Sequence, residues 1–143
     1  MIRIQTDDFD VGRECAALRA GRSDIGALVT FTGLVRDVPL ELEHYPTMAE
    51  RSLREIEAEA CKRWTLQGCL IIHRVGRLEP GAQIVLVATA ASHRADAFAA
   101  AEFLMDYLKT RAPFWKREFH AEGARWVDAA EKDDTAARRW TKA

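Results

Sequence analysis

With 143 residues, 48% of them hydrophobic, the chain is the size of one domain and carries enough apolar material to bury its own core. Its 21 basic side chains nearly cancel 22 acidic ones, which excludes the polycationic character suited to long nucleic-acid or anionic membrane surfaces. Neither nucleic acid nor a membrane is an expected partner. Cys15, Cys61 and Cys69 form no C-x-x-C, which argues against a zinc ribbon or redox pair and suits idle thiols in a reducing cytoplasm. The longest nearly apolar run, residues 84–91, is far below the ~20 residues that cross a bilayer, and residues 1–10 lack the apolar centre of a signal peptide. A cytoplasmic protein is expected. No repeat, low-complexity tract or Pro/Ser-rich linker marks a boundary, so residues 1–143 read as a single domain.

In chain order, residues 2–5 read as a short edge strand, 11–20 as a short helix, and 26–36, "GALVTFTGLVR", as a long strand rich in β-branched residues. Alternation would put Thr30, Thr32, Leu34 and Arg36 on one face, with residues 40–45 as a candidate partner strand. Pro46 then opens a helix in which Thr47 and Glu50 have the spacing of a capping box, and Ala49, Leu53, Ile56, Ala60 and Trp64 recur at helical spacing. Residues 69–75 and 83–90 predict a hairpin joined by "GRLEPGA", where Pro80-Gly81 supplies the turn. Ser92 reads as the N-cap of a helix to about Lys109. Its polar residues Asp96, Glu102 and Asp106 fall within a narrow arc, so most of it should be buried. Pro113 ends that helix, and "FWKREF" leaves as a strand, followed by Gly123, "RWVDA" and a short polar helix. Without regular βαβ alternation, the fold class is α+β with a mixed or antiparallel sheet.

Basic residues gather at Arg36, at His93-Arg94, and at Lys109 with Lys116 and Arg117. Each has an ordinary reading. A strand-end arginine is usually a solvated charge, a helix start exposes N–H groups whether or not a phosphate binds there, and a lysine at a helix C-terminus complements the dipole. The combination says more. From Ser92 to Lys109 the helix spans roughly 25 Å at ~1.5 Å per residue, so no single small ligand touches both ends within one chain. A shared anion pocket would need a two-fold partner to bring its His93 and Arg94 to Arg36, Lys109, Lys116 and Arg117. Arginines suit phosphate or carboxylate, and a lysine beside other cations has a reason for a lowered pKa, which makes Lys109 or Lys116 the reactive candidate. Phe114 and Trp115 could stack on a flat heterocycle, although adjacent aromatics at a helix exit more often anchor a core. The chain holds no P-loop, dinucleotide, G-x-S-x-G or H-E-x-x-H motif, and its four histidines have no ligand spacing, so no metal site is expected.

The stretches "VTFTGLVR", "LEHYPTM", "IIHRVGRLEPG", "SHRADAF" and "MDYLKTRAPFWKRE", in that order, closely resemble the MoaE family, the large catalytic subunits of molybdopterin synthase. The resemblance implies an α/β hammerhead fold with an additional β-hairpin subdomain. It also implies a homodimer whose ends each bind a small ubiquitin-like sulfur carrier, MoaD, in a heterotetramer. The carrier's C-terminal Gly-Gly thiocarboxylate would give up sulfur, twice, to cyclic pyranopterin monophosphate (precursor Z), making the molybdopterin dithiolene. Carried over by matching motif, Lys109 is the catalytic lysine and Lys116 the second essential basic residue. Substrate binding falls to Leu34, Val35, Arg36, His93, Arg94, Lys109, Lys116, Arg117 and Glu118. The resemblance implies no metal or redox cofactor, since molybdenum enters later.

This sequence departs from the family in places. Only "DVPLE" stands between "VR" and "LEHY", where the family has a longer loop; Leu34 replaces a common lysine, and Ala130 stands where some relatives place an arginine. The rival readings are a non-catalytic relative that binds carrier or pterin, and a phosphate- or nucleotide-sensing dimer using the same basic pocket.

Overall fold

The computed structural model describes residues 1–127 and 131–141. The order is β1 (Ile2–Gln5), α1 (Val11–Arg19), β2 (Ala27–Leu34), β3 (Leu40–His44), α2 (Pro46–Arg63), β4 (Gly68–Arg74), β5 (Gly76–Leu78), β6 (Gln83–Ala91), α3 (Arg94–Arg111), β7 (Phe114–His120), β8 (Gly123–Val127) and α4 (Glu131–Arg138), with a 3-10 turn over Arg139–Thr141. The class is α+β. A mixed sheet has the order β1-β4-β6-β2, with β1 parallel to β4, and an antiparallel sheet has the order β5-β3-β7-β8, in which β7 and β8 form a hairpin.

Period-two alternation sorts the core. On β4 and β6, Cys69, Ile71, Val85 and Val87 face α2 and α3 and pack with Leu53, Ile56, Phe103, Leu104 and Tyr107. Leu70, Ile72, Leu86 and Ala88 face the other way, onto Phe9 and the Val11 and Leu18 of α1. Both faces of the central strands are therefore apolar, as a sheet covered on both sides requires. A third cluster, Val35, Leu40, Leu42 and Leu78, fills the junction to the antiparallel sheet.

Several local expectations change in the structure. Residues 40–45 do not pair with β2: β3 lies between β5 and β7, because the turn after β2 carries the chain into the other sheet. That turn is tight. Asp37 has φ 70° and the Val38 N–H donates to the Arg36 carbonyl at 2.9 Å, a γ-type turn. The β2–β6 register shifts between Gly33 and Leu34, so the alternation counted from Thr30 does not carry through to Arg36. Thr47 makes no capping box: Pro46 takes the first helical turn, which moves the N-cap back to Tyr45, and no side chain caps it. Likewise His93, not Ser92, is the N-cap of α3; the Ser92 hydroxyl is held by the Asp24 carbonyl and the Gln67 amide. β4 and β6 pair antiparallel as expected, but not as a simple hairpin: β5 interrupts the connection and pairs with β3 in the second sheet.

Candidate functional site

Lys109 sits in the last turn of α3. The helix stops at Ala112 because Pro113 cannot supply an N–H, and Phe114 starts β7 directly. β7 runs antiparallel to β3, with His44 opposite Phe114, Leu42 opposite Lys116 and Leu40 opposite Glu118. Since Leu40 and Leu42 are buried, the strand face that carries Phe114, Lys116 and Glu118 is the inner one. Lys116 thereby returns toward the end of α3. Lys109 keeps an exposed surface, but the protein crowding it removes enough water to lower its pKa. The Lys116 charge lowers it further, Asp133 of α4 opposes, and Lys132 adds to the depression.

Arg117 points the other way. Its guanidinium pairs with Glu41 at 2.7 Å and lies over Phe119 and Trp126, at 5.4 and 5.3 Å from the ring centroids. The structure therefore engages Arg117 on the outer face, away from Lys116. Glu118 shares the Lys116 face, where its carboxylate lies 3.0 Å from Nε2 of His120.

At the end of β2, Leu34 is 56% exposed, whereas Val35 is 3% exposed. The Val35 N–H donates to Ala82 and its carbonyl accepts from Gly81, so side chain and backbone are both committed to the fold. Val35 anchors the strand end and leaves Arg36 free: the Arg36 side chain is 91% exposed, 3.6 Å from an Asp37 that is 81% exposed. A pair this exposed holds its arginine only weakly.

His93 and Arg94 are exposed at the start of α3, and among the described residues neither makes a side-chain hydrogen bond or ion pair. With α3 running from Arg94 to Arg111, they lie roughly 22 Å along the axis from Lys109. Within one chain the structure brings Lys109 and Lys116 together and holds His93 and Arg94 apart from them. Ala130 lies outside the described residues. Among the described residues no group of three His, Cys, Asp or Glu side chains could hold a metal ion.

Two residues that sequence reasoning left out, His73 and His44, flank this junction. The His73 ring stacks on Phe114 with centroids 3.9 Å apart and planes 7° from parallel, and His44 lies 5.9 Å from the same ring. Burial pushes the His73 pKa down to about 4, and the Lys109 and His44 charges act in the same direction against a hydrogen bond to the Arg74 carbonyl. No spacing in the sequence connects His73 with Phe114; only the packing of β4 against β7 does.

The MoaE protein family model matches residues 4–111. The "Molybdopterin synthase catalytic subunit" of Ralstonia nicotianae is 57% identical over 146 residues, covering 97% of this chain and 83% of that protein. The solved "Molybdopterin biosynthesis MoaE protein from Burkholderia ambifaria" superposes with a TM-score of 0.86 at 61% identity, over 98% of this chain and 97% of that one. A chain of the "Protein-protein complex of subunit 1 and 2 of Molybdopterin-converting factor from Helicobacter pylori" shares the fold at 19% identity, with a TM-score of 0.71 over 92% and 91%.

Proposed function

The chain belongs to the MoaE family of molybdopterin synthase catalytic subunits, and we propose that Lys109 and Lys116 form the reactive centre of its sulfur transfer. The observation that carries this reading is the meeting of the two lysines across the α3–β7 junction, where crowding and mutual repulsion lower the Lys109 pKa. A depressed pKa raises the share of free amine near neutral pH, which a proton-transfer group needs.

The substrate is precursor Z and the sulfur donor the C-terminal Gly-Gly thiocarboxylate of a MoaD-like, ubiquitin-fold carrier. The thiocarboxylate sulfur adds to a carbonyl-level carbon of the pterin side chain: the C–S bond forms as the C–O π pair moves onto oxygen, which is protonated and leaves as water. Water then cleaves the carrier's acyl–sulfur bond, leaving sulfur on the pterin and a carboxylate on the carrier. Lys109 takes the proton that the attacking water gives up. Lys116, with Arg36, binds the phosphate and anionic intermediates, and the side chain of Leu34 borders the pocket mouth. Glu118 orients the Lys116 side of the pocket, and Arg117 contributes through the outer face of β7.

His93 and Arg94 enter the same pocket from a second copy of the chain, because α3 is too long for its own N-terminus to reach Lys109. The working assembly is then a homodimer carrying a carrier at each end, a heterotetramer of single-domain chains acting in the cytoplasm. No helix among the described residues is long and apolar enough to cross a membrane.

The test combines purified protein, thiocarboxylated carrier and precursor Z, with molybdopterin as the product measured. Wild-type protein forms it and Lys109→Ala does not. Undiminished product from Lys109→Ala would overturn the assignment.

A further inference from the structure

His73 ends the odd-numbered row of β4 that faces α3, after Cys69 and Ile71. Its Nδ1 lies 2.8 Å from the Arg74 carbonyl oxygen, so Nδ1 carries the hydrogen and donates it. One edge of the ring is thus tied to its own strand. The ring's face lies nearly parallel to Phe114, the first residue of β7, which stands between Lys109 and Lys116 in the chain and shares the Lys116 face. A flat contact at 3.9 Å leaves little freedom for Phe114 to slide.

We propose that His73 is a positioning residue for the paired lysines: tied to the Arg74 carbonyl and laid against Phe114, it fixes the gap between Lys109 and Lys116. The idea rests on the reading of those lysines as the reactive centre. Charged and titratable neighbours that act on the site are Lys109 from α3, His44 from β3, Lys116 from β7, and Lys132 and Asp133 from α4. The low pKa of His73 keeps its ring neutral throughout the range in which a lysine titrates. Whatever His73 does to Lys109 there acts through geometry and water exclusion, not through charge.

The experiment measures the titration of Lys109 in the full-length protein by competitive acetylation across pH 8 to about 11, read by mass spectrometry, in wild type, His73→Phe and His73→Ala. His73→Ala removes the stacking ring, admits water and lets the lysines separate, so the Lys109 midpoint rises toward the ordinary lysine value. His73→Phe keeps the stack and leaves the midpoint within a few tenths of a unit. Molybdopterin formation should follow the same order, with kcat falling about tenfold in His73→Ala and recovering in His73→Phe. If His73→Ala does not fold, Phe114→Leu removes the same ring contact and should raise the midpoint likewise. A midpoint unmoved by loss of the stack, or moved equally by His73→Phe, overturns the proposal. The labelling needs no turnover, so it decides the positioning role even where sulfur transfer itself is not observed.

Discussion

Lys116 and Arg117 are neighbours in sequence but occupy opposite faces of β7, one toward the end of α3 and the other in an ion pair with Glu41. A charge run that looks like one cluster in the sequence is split by strand alternation into a residue on the inner face and one that braces the sheet from outside.

The split predicts different outcomes for the two alanine variants. Lys116→Ala should lower molybdopterin formation by about 10²-fold or more with little change in stability. Arg117→Ala leaves Glu41 unpaired, removes the cation from Trp126 and leaves Phe119 with Arg77 alone, costing about 1–2 kcal/mol in urea unfolding. Its activity loss should be much smaller than that of Lys116→Ala. Equal activity losses would place Arg117 in the pocket.

Removing the Lys116 charge should also move Lys109. Lys116→Gln takes away a repulsion that favours the free amine, so the Lys109 midpoint and the rising alkaline limb of the rate both shift to higher pH. The sign for stability follows. Because the folded pKa of Lys109 is depressed, the unfolded chain binds more protons between the folded and unfolded values, and this group's contribution to stability rises with pH there. Amine labelling and unfolding at pH 8 and 10 check both.

His73 predicts an acid limb. Its folded pKa, about 4, lies below the ordinary 6.5, so the folded protein holds it neutral while the unfolded chain protonates. Its contribution is fully present above pH 6.5 and falls by roughly 3 kcal/mol as pH drops to about 4. In urea unfolding at pH 7 and 4.5, His73→Phe should lose less stability than wild type. An unchanged difference between the two pH values would show that another group carries the acid sensitivity.

Mixed dimers test the shared pocket. Arg94→Ala and Lys109→Ala chains should each be nearly inactive alone. A mixed dimer has one intact pocket, so an equal, randomly assorted mixture should recover about a quarter of wild-type activity. No recovery despite confirmed mixed dimers would confine each pocket to one chain.

Gly26 offers a structural test at the other end of α3. A side-chain carbon there would lie 2.1 Å from the Ser92 carbonyl oxygen, a backbone atom just before His93 and Arg94. Gly26→Ala should cost about 1–3 kcal/mol in thermal or urea unfolding. It should also raise KM for the pterin more than it lowers kcat if, as proposed, the His93-Arg94 end of the helix enters the substrate pocket.

The sequence by itself determined most of the elements and the family. Apolar periodicity marked the buried faces of α2 and α3, Pro113 marked the helix exit, and the motif order marked the family, because these signals are local or lie in short stretches of chain. Local signals misplaced the caps at Thr47 and Ser92, where a neighbouring proline and a tertiary partner outcompeted the side chain. Only the tertiary structure decided that β3 joins the second sheet, that Arg117 faces outward, and that His73 meets Phe114 beside Lys109. Each of these depends on strand pairing and register across distant parts of the chain, and a one-residue shift in register would exchange the face that carries Lys116 for the one that carries Arg117.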